Sequence, residues 1–436
     1  MRAISLGALG QGQAEIFDPL QSSDTQAMLA CAVDFGAKIE CLGEKIVIYG
    51  NKGKFPQSVR PIWCANSGQV LRFGAALAAL SPHPRVFFGD ASVLHRRPVA
   101  PLVKGLRQLS VTALSAYENG RTPCGPLLIR GPAQFTNVVK GIDGADSQPV
   151  SGLLMLAAHL PPGVRLEVDN PGETPWIDLT LHWLEKLGAQ IKHDHYRSFH
   201  VTHSRQPCDF SVTIAGDWSS AAFPIVCALM TGSQIKLTNL DIHDVQGDKK
   251  FLDLLRRMGA QFEINALAKT VMVLRVGQLQ AIDCDINDCV DSIAALAVLA
   301  TRACGVTKIR GCQVASHKES NRLEALVCEL QKLGARVEIL ENAQGLEIHP
   351  VEYKSIRSCL EFDSHADHRI AMALCAAGLV APFGAILRGA ECIFKSFPQF
   401  FTQMQRLGAH IFVDAPNQAD LGVATGESYG DFSFRL

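Results

Sequence analysis

Apolar and polar positions along this chain switch repeatedly between two periods. In LEKLGAQI, LRRMGAQF and LQKLGARV the apolar residues fall three or four apart, a Gly follows, and alternation in period two begins. After LQKLG the alternating run ARVEIL leads to a turn-like ENAQ and then to GLEIHP, which predicts helix, strand, turn, strand. The same phrase recurs as VDFGAKIE, LRQLSVTA and MQRLGAHI, so the chain carries six copies. Gly36, Ser110, Gly188, Gly259, Gly334 and Gly408 close the six helices, at steps of 74, 78, 71, 75 and 74 residues. A helix ends readily in a left-handed residue, and Gly takes that conformation at little cost. Another strand and helix precede each phrase. One unit is therefore predicted as β-α-β-α-β-β, longer than the common solenoid repeats.

Six units predict an α/β protein of two domains with three units each, residues 1–215 and 216–436. The boundary is placed in IAGDWSS, residues 214–220, where Gly216 interrupts a strand and Asp217 or Ser219 can cap the next helix. Pro224 is expected near the start of that helix, where a missing N–H is tolerated.

Composition narrows the function. With 47% hydrophobic and 19% charged residues over 436 positions, the chain has the make-up of a folded globular protein. A formal net charge of −1 provides no global field for nucleic acid or an anionic membrane, so any anion must be held by local clusters. Fourteen cysteines lie scattered in apolar runs such as VCAL and ALCAA, with no C-x-x-C or Cys/His ligand spacing. That pattern predicts no metal and no cofactor, and a reducing cytoplasmic setting. Gly, Pro or charge interrupts every apolar stretch before about 18 residues, so no spanning helix is expected. MRAISLGALG is read as structure, not as a signal peptide.

Several helix entrances carry groups suited to phosphate or carboxylate. ANSGQVLRFGAALAAL sets Asn66, Ser67 and Gly68 before an apolar helix, with Arg72 one turn on; DSQPVSGLLMLAAHL does the same with Asp146, Ser147 and Gln148. Arg96 and Arg97 are expected at a helix start, where cations oppose the dipole unless an anion binds. In HKESNRLEALVCEL, i, i+4 spacing would put Lys318 and Arg322 on one helical face beside Glu319. Asp291 in DCVDSIAALAVLA is a predicted cap and possible base, Lys395 precedes the last repeat helix, and Asp367, His368 and Arg369 open ADHRIAMALCAAGLVA. Cations and carboxylates recurring together suit small polyanionic ligands and acid–base chemistry.

The segments GDWSSAAFPIVCALMTG, VQGDKKFLDLLRRMGA, HKESNRLEAL, DHRIAMALCAAGL and KSFPQFFTQMQRLGA, in this order and spacing, resemble the EPSP synthase family from Arg2 to about Gly408. The resemblance implies two domains of three β-α-β-α-β-β units with the active site in the cleft between them. It implies a cofactor-free, metal-free transfer of the enolpyruvyl group of phosphoenolpyruvate to the 5-hydroxyl of shikimate 3-phosphate, releasing phosphate. By motif, Asp291 resembles the carboxylate that takes the hydroxyl proton, and Glu319 the group that handles the proton at the methylene carbon. Gly68, Arg97, Gln148, Arg322, Arg369 and Lys395 resemble the phosphoenolpyruvate site; Arg2, Ser147, Gln148, Asp291 and Lys318 resemble shikimate 3-phosphate contacts. His368 would stand beside the clamp as a hydrogen-bond donor. The implied enzyme is a cytoplasmic monomer whose family inhibitor, glyphosate, competes with phosphoenolpyruvate.

Departures from the family pattern accompany the match. Asp146 stands where many members have Ser, so an extra carboxylate near phosphate needs a cation. Trp176 stands where Tyr or Arg is common, Gln69 replaces a frequent Thr, and the stretch after Gly408, ending GESYGDFSFRL, has no assigned role. The family opens with a Lys-Ser-x-Ser-x-Arg motif, whereas this chain begins Met1-Arg2-Ala3-Ile4, with Arg2 matching the last Arg. From that alone, weak turnover or a non-catalytic anion-binding homologue is the alternative expectation. A UDP-N-acetylglucosamine enolpyruvyl transferase is a further one, disfavoured because GDASVLHRRPV lacks the reactive Cys.

Overall fold

The computed structural model describes residues 1–57, 60–116, 122–204, 208–414 and 433–435. Most of GESYGDFSFRL lies outside the described residues. Its contacts divide the chain into two compact parts, Met1–Ala215 and Gly216–Leu436.

Each part contains three small sheets, all of them mixed among the described residues except the antiparallel one begun by Ile235–Leu237. In the second half, strand Asp283–Asp285 runs parallel to Thr307–Arg310, which pairs antiparallel with Gly345–Ile348, itself paired with Val337–Ile339. The last sheet repeats this order with Leu360–Asp363, Ala385–Arg388, Ser433–Arg435 and Phe412–Asp414. The sheet begun by Ile235–Leu237 has three strands among the described residues. In the first half, Ile62–Trp63 and Val138–Asp143 lead two sheets of the same order. The third takes its leading strand, Phe210–Thr213, from the end of that half and pairs it parallel to Gln13–Phe17. The β-α-β-α-β-β order is thus realised in five of the sheets, one of them closed by a strand distant in sequence, while the sheet begun by Ile235–Leu237 has no leading parallel strand among the described residues.

Two kinds of helix alternate within every unit. The first kind is apolar on all sides and lies inside its half: every residue of Ile293–Ala300 and of His368–Gly378 is buried. A helix without a polar face belongs in a core, and Trp218–Thr231, Ile293–Ala300 and His368–Gly378 pack on one another. The second kind is amphipathic, such as Arg322–Lys332 and Ala100–Gln108. Behind these second helices, Gly36, Ser110, Gly188, Gly259, Gly334 and Gly408 all have φ between 62° and 100°, as the repeat predicts. The opening MRAISLGALG forms the buried helix Arg2–Ala8. Pro224 is not near a helix start. Asp217 caps Trp218–Thr231 through the Ser219 N–H, so Pro224 falls in the second turn and forfeits one intrahelical bond. No helix among the described residues is long and apolar enough to cross a membrane.

Because the first helices are buried, their N-termini end at the edge of the core with free N–H groups. That is where Gly68, Ser147, Ser219 and Asp367 lie, while Glu173, Asp248 and Arg322 open second helices or the turns leading into them.

Candidate active site

In the first half, a helix opens at Gly68 and widens to π-type hydrogen bonding over Val70–Gly74. Such widening is frequent at functional sites. Arg72, within it, is 1% exposed. Its Nε and Nη2 donate to the Pro98 carbonyl at 3.2 and 2.9 Å, and Nη1 donates to Gln148 Oε1 at 2.8 Å. Nη2 also lies 2.9 Å from Asp146 Oδ2. The carboxylate that departs from the family pattern therefore has its cation. Burial lowers the Arg72 pKa, and Asp146 opposes that shift.

Gly68 is held to glycine by contact. A Cβ there would sit 2.9 Å from Arg72 Nη1, 3.0 Å from Gln148 Oε1 and 3.6 Å from Arg97 Cδ. Those distances bring Gly68, Arg97 and Gln148 together around Arg72. Arg96 and Arg97 are not at a helix start, however. Asp90 caps the short helix Ala91–His95, Arg96 terminates it, and Pro98 follows, so both arginines occupy the link before Ala100–Gln108. A residue preceding proline is disfavoured from helix, which the RRP triplet already signalled.

Ser147 donates through both its N–H and its Oγ to Glu173 Oε2 at 3.1 Å. Glu173 is buried and left-handed, φ 46°, at the start of Thr174–Lys186. Arg2 reaches the same helix: Nε donates to Thr180 Oγ1 at 2.7 Å and Nη2 to the Trp176 carbonyl at 2.8 Å. Its guanidinium lies over the Phe73 ring at 5.3 Å, and burial brings its pKa down to about 9.

The second half gathers Asp291, Lys318, Glu319, Arg322, Arg369 and Lys395. Arg322, 1% exposed, is the hub. Its Nε donates to Asp367 Oδ2, Nη1 to Asp291 Oδ1 and Nη2 to Glu319 Oε2, each at 2.8 Å. Arg369 Nη2 lies 3.2 Å from Asp291 Oδ2 and donates to Ser219 Oγ at 3.0 Å. Lys395 pairs with the other oxygen of Glu319, and Lys318 acts electrostatically on Asp291. Four cations meet three carboxylates here, with Asp217 one hydrogen bond beyond Arg369 through the Ser219 hydroxyl. Burial pushes the Asp291 carboxyl up, but Arg369, Lys318 and Arg322 outweigh it and hold the group far below the ordinary carboxylate range.

Two local expectations fail here. Lys318 and Arg322 do not share a helical face, because Asn321 caps Arg322–Lys332 through the Glu324 N–H and residues 318–320 precede the helix. The pair Asn321…Glu324 has the spacing of a capping signal and could have placed the boundary. Asp291 is not a cap either: it lies inside the 3₁₀ stretch Asn287–Ser292 and spends its carboxylate on the two arginines. The cap of the neighbouring unit is Asp367, which accepts from the Arg369 N–H at 2.9 Å as well as from Arg322 and Ser320. His368 is buried beside it, and burial pushes its pKa down to about 3, so the imidazole is neutral.

Sequence reading left Glu173 and Asp248 without a site role, and named Arg72 and Asp367 only as members of polar helix entrances. Asp248 is 1% exposed in the turn Gly247–Lys250, and neither carboxyl oxygen has a hydrogen-bond partner among the described residues. Burial, with Asp291 and Asp217 nearby, raises its pKa well above the usual value. Its signal was an acid among the turn residues of VQGDKK, ahead of an apolar helix.

Comparison with known proteins gives a consistent picture. The family model described as EPSP synthase (3-phosphoshikimate 1-carboxyvinyltransferase) matches residues 1–404. A 3-phosphoshikimate 1-carboxyvinyltransferase of Acetivibrio thermocellus is 33% identical over 413 residues, covering 94% of each chain. One from Chlamydia muridarum is 36% identical over 415 residues, covering 94% of this chain and 90% of its own. Among solved structures, EPSP synthase from Acinetobacter baumannii superposes with a TM-score of 0.72 at 24% identity, over 94% of this chain and 93% of that one, which supports the fold.

Proposed function

The chain belongs to the EPSP synthase family, and from that premise we propose that it transfers the enolpyruvyl group of phosphoenolpyruvate to the 5-hydroxyl of shikimate 3-phosphate. The observation that carries this reading is the second-half cluster, in which Arg322, Arg369, Lys318 and Lys395 surround the carboxylates of Asp291 and Glu319. Four clustered cations in a buried, low-dielectric setting attract carboxylate and phosphate, and the acids supply proton transfer. The comparisons favour neither the non-catalytic alternative nor the UDP-N-acetylglucosamine one.

The reaction is addition followed by elimination. In the addition, the 5-hydroxyl oxygen bonds to C2 of phosphoenolpyruvate, the hydroxyl proton passes to Asp291, and C3 gains a proton from Glu319, which enters this step in its protonated form. In the elimination, C3 returns a proton to Glu319, the C2–C3 double bond re-forms, the C2–O bond to phosphate breaks, and the proton held by Asp291 leaves with the phosphate. Asp291 is a weak base while Arg322 and Arg369 hold it. A substrate anion that engages those arginines loosens their hold and raises the basicity of Asp291 as the hydroxyl arrives. Gly68, Arg97, Gln148, Arg322, Arg369 and Lys395 are assigned to phosphoenolpyruvate. Arg2, Ser147, Gln148, Asp291 and Lys318 are assigned to shikimate 3-phosphate. Arg72 orients Gln148, and Glu173 orients Ser147. The same reading takes the protein as a cytoplasmic monomer.

Phosphate release tests the assignment: it is expected with phosphoenolpyruvate plus shikimate 3-phosphate and not with phosphoenolpyruvate plus UDP-N-acetylglucosamine. The opposite preference would reassign the acceptor. In calorimetric titration, Arg369→Ala should weaken phosphoenolpyruvate binding more than shikimate 3-phosphate binding, and the reverse order would move Arg369 to the other subsite.

A further inference from the structure

On the helix Arg322–Lys332, Cys328 and Glu329 lie beyond the residues assigned to the reaction. They meet His365, from the turn between strand Leu360–Asp363 and helix His368–Gly378. The Cys328 Sγ, a Glu329 carboxylate oxygen and a His365 ring nitrogen all lie within 4.8 Å of one another. Thiolate, imidazole and carboxylate at such mutual distances form a donor set for a borderline-soft divalent ion. Ligands bonded at roughly 2.0–2.3 Å in a tetrahedron stand about 3.3–3.7 Å apart, so the three need to close by an ångström or so at most.

The surroundings favour occupation. Glu329 is fully buried, yet Cys328 is exposed and His365 half-exposed, so an ion has a route in from solvent. His365 Nε2 is 2.9 Å from Glu329 Oε1, and the Asp363 N–H donates to Oε2 at 3.0 Å, which fixes the carboxylate. His365 and the following Ala366 both have left-handed backbone, φ 53° and 54°, and the His365 N–H donates to Asp363 Oδ1 at 2.6 Å. Such strained φ values are kept only where the surroundings enforce them, and here they aim the imidazole at Glu329. The competing cation is Lys332, whose Nζ lies 2.7 and 2.9 Å from the two Glu329 oxygens. Its side chain is 36% exposed, so it can move into water while the incoming ion takes over its charge beside the buried Glu329.

The geometry points to a zinc-class metal site formed by Cys328, Glu329 and His365, with water completing the tetrahedron. On binding, Cys328 gives up its thiol proton and His365 the Nε2 proton it donates to Glu329, both to solvent; the freed Nε2 lone pair takes the ion with the remaining ring proton on Nδ1, and Lys332 is released. His365 precedes Asp367 by two positions and Arg369 by four. The ion would thus pin the turn that presents both groups, without itself touching the proposed substrate residues.

Cobalt added to the metal-free protein, followed by zinc, and zinc added alone test this. One Co²⁺ per chain should bind with a thiolate-to-cobalt charge-transfer band in the near ultraviolet, and Zn²⁺ should bleach it. Cys328→Ser should abolish the band and weaken Zn²⁺ binding by at least about tenfold. His365→Asn should weaken Zn²⁺ binding similarly while leaving the fold intact by circular dichroism. Cys304→Ser, at another exposed cysteine, should change neither. Absence of saturable binding, or a band that survives Cys328→Ser, would overturn the proposal, and so would zinc affinity unmoved by His365→Asn.

Discussion

Replacing Asp367 probes how the second-half cluster is held. Its carboxylate is fully buried and takes four hydrogen bonds: the Arg369 N–H at 2.9 Å, Arg322 Nε at 2.8 Å and Nη2 at 3.4 Å, and Ser320 Oγ at 3.1 Å. Asp367→Asn keeps an oxygen for the cap but turns an amide N–H toward the guanidinium. Breaking a buried ion pair by removing one partner costs about 3–5 kcal/mol, and Arg322 keeps Asp291 and Glu319, so a loss of about 3 kcal/mol is expected. Asp367→Ala also loses the cap, worth about 1 kcal/mol more, for about 4 kcal/mol in total. Urea unfolding followed by tryptophan fluorescence reads both. Trp218 is the one tryptophan of residues 216–436, so its transition reports the second half, and the data should be fitted without assuming one transition for the whole chain. A loss below about 1 kcal/mol for the Asn variant, or no difference between Asn and Ala, would refute the reasoning.

Further outcomes follow from other side chains. Arg72→Lys removes the fork that joins Pro98, Gln148 and Asp146, and should lower kcat/KM at least about tenfold with little change in the circular dichroism spectrum; unchanged kcat/KM would remove Arg72 from the site. His368, with a folded pKa of about 3 against 6.5 unfolded, binds its proton more readily in the unfolded chain. Stability should therefore fall as pH drops from about 6.5 toward 3, and His368→Asn should flatten that slope; an NMR titration of the His368 ring near pH 6.5 would contradict this. Glu329 is the converse. Burial raises its pKa, but His365 and Lys332 outweigh it and leave the group below 4.5, while the hydrogen bond to Glu329 raises His365 above 6.5. The Glu329 contribution is present above pH 4.5 and that of His365 is complete below pH 6.5. Glu329→Gln should accordingly cost most between those values, about 2 kcal/mol, and less at pH 9; a cost independent of pH would show the pair is not ionised.

The large-scale plan was legible because it rests on local signals. Periodicity marked the second helices, and the residues closing them did take positive φ, Ser110 included. Helix entrances were harder. HKESNR reads as helix if like charges are counted along one face, yet Asn321 starts the helix only after Lys318 and Glu319 have turned elsewhere. What sequence spacing could not show was the set of partners. Arg322 joins carboxylates from positions 291, 319 and 367, and Arg72 joins groups at 98, 146 and 148, assemblies created by packing alone. The same reason hid the Cys328–Glu329–His365 set from a search for short ligand spacings.

The account turns on whether the two proposed substrates become joined. Carbon-13 NMR with phosphoenolpyruvate labelled at C2, in the presence of shikimate 3-phosphate, follows the transferred group itself. The account predicts that the label appears in an enol ether on O5 of the acceptor as inorganic phosphate accumulates, and that Asp291→Asn and Glu319→Gln suppress both together. Label that stays in phosphoenolpyruvate, or is released as pyruvate with phosphate, would contradict it.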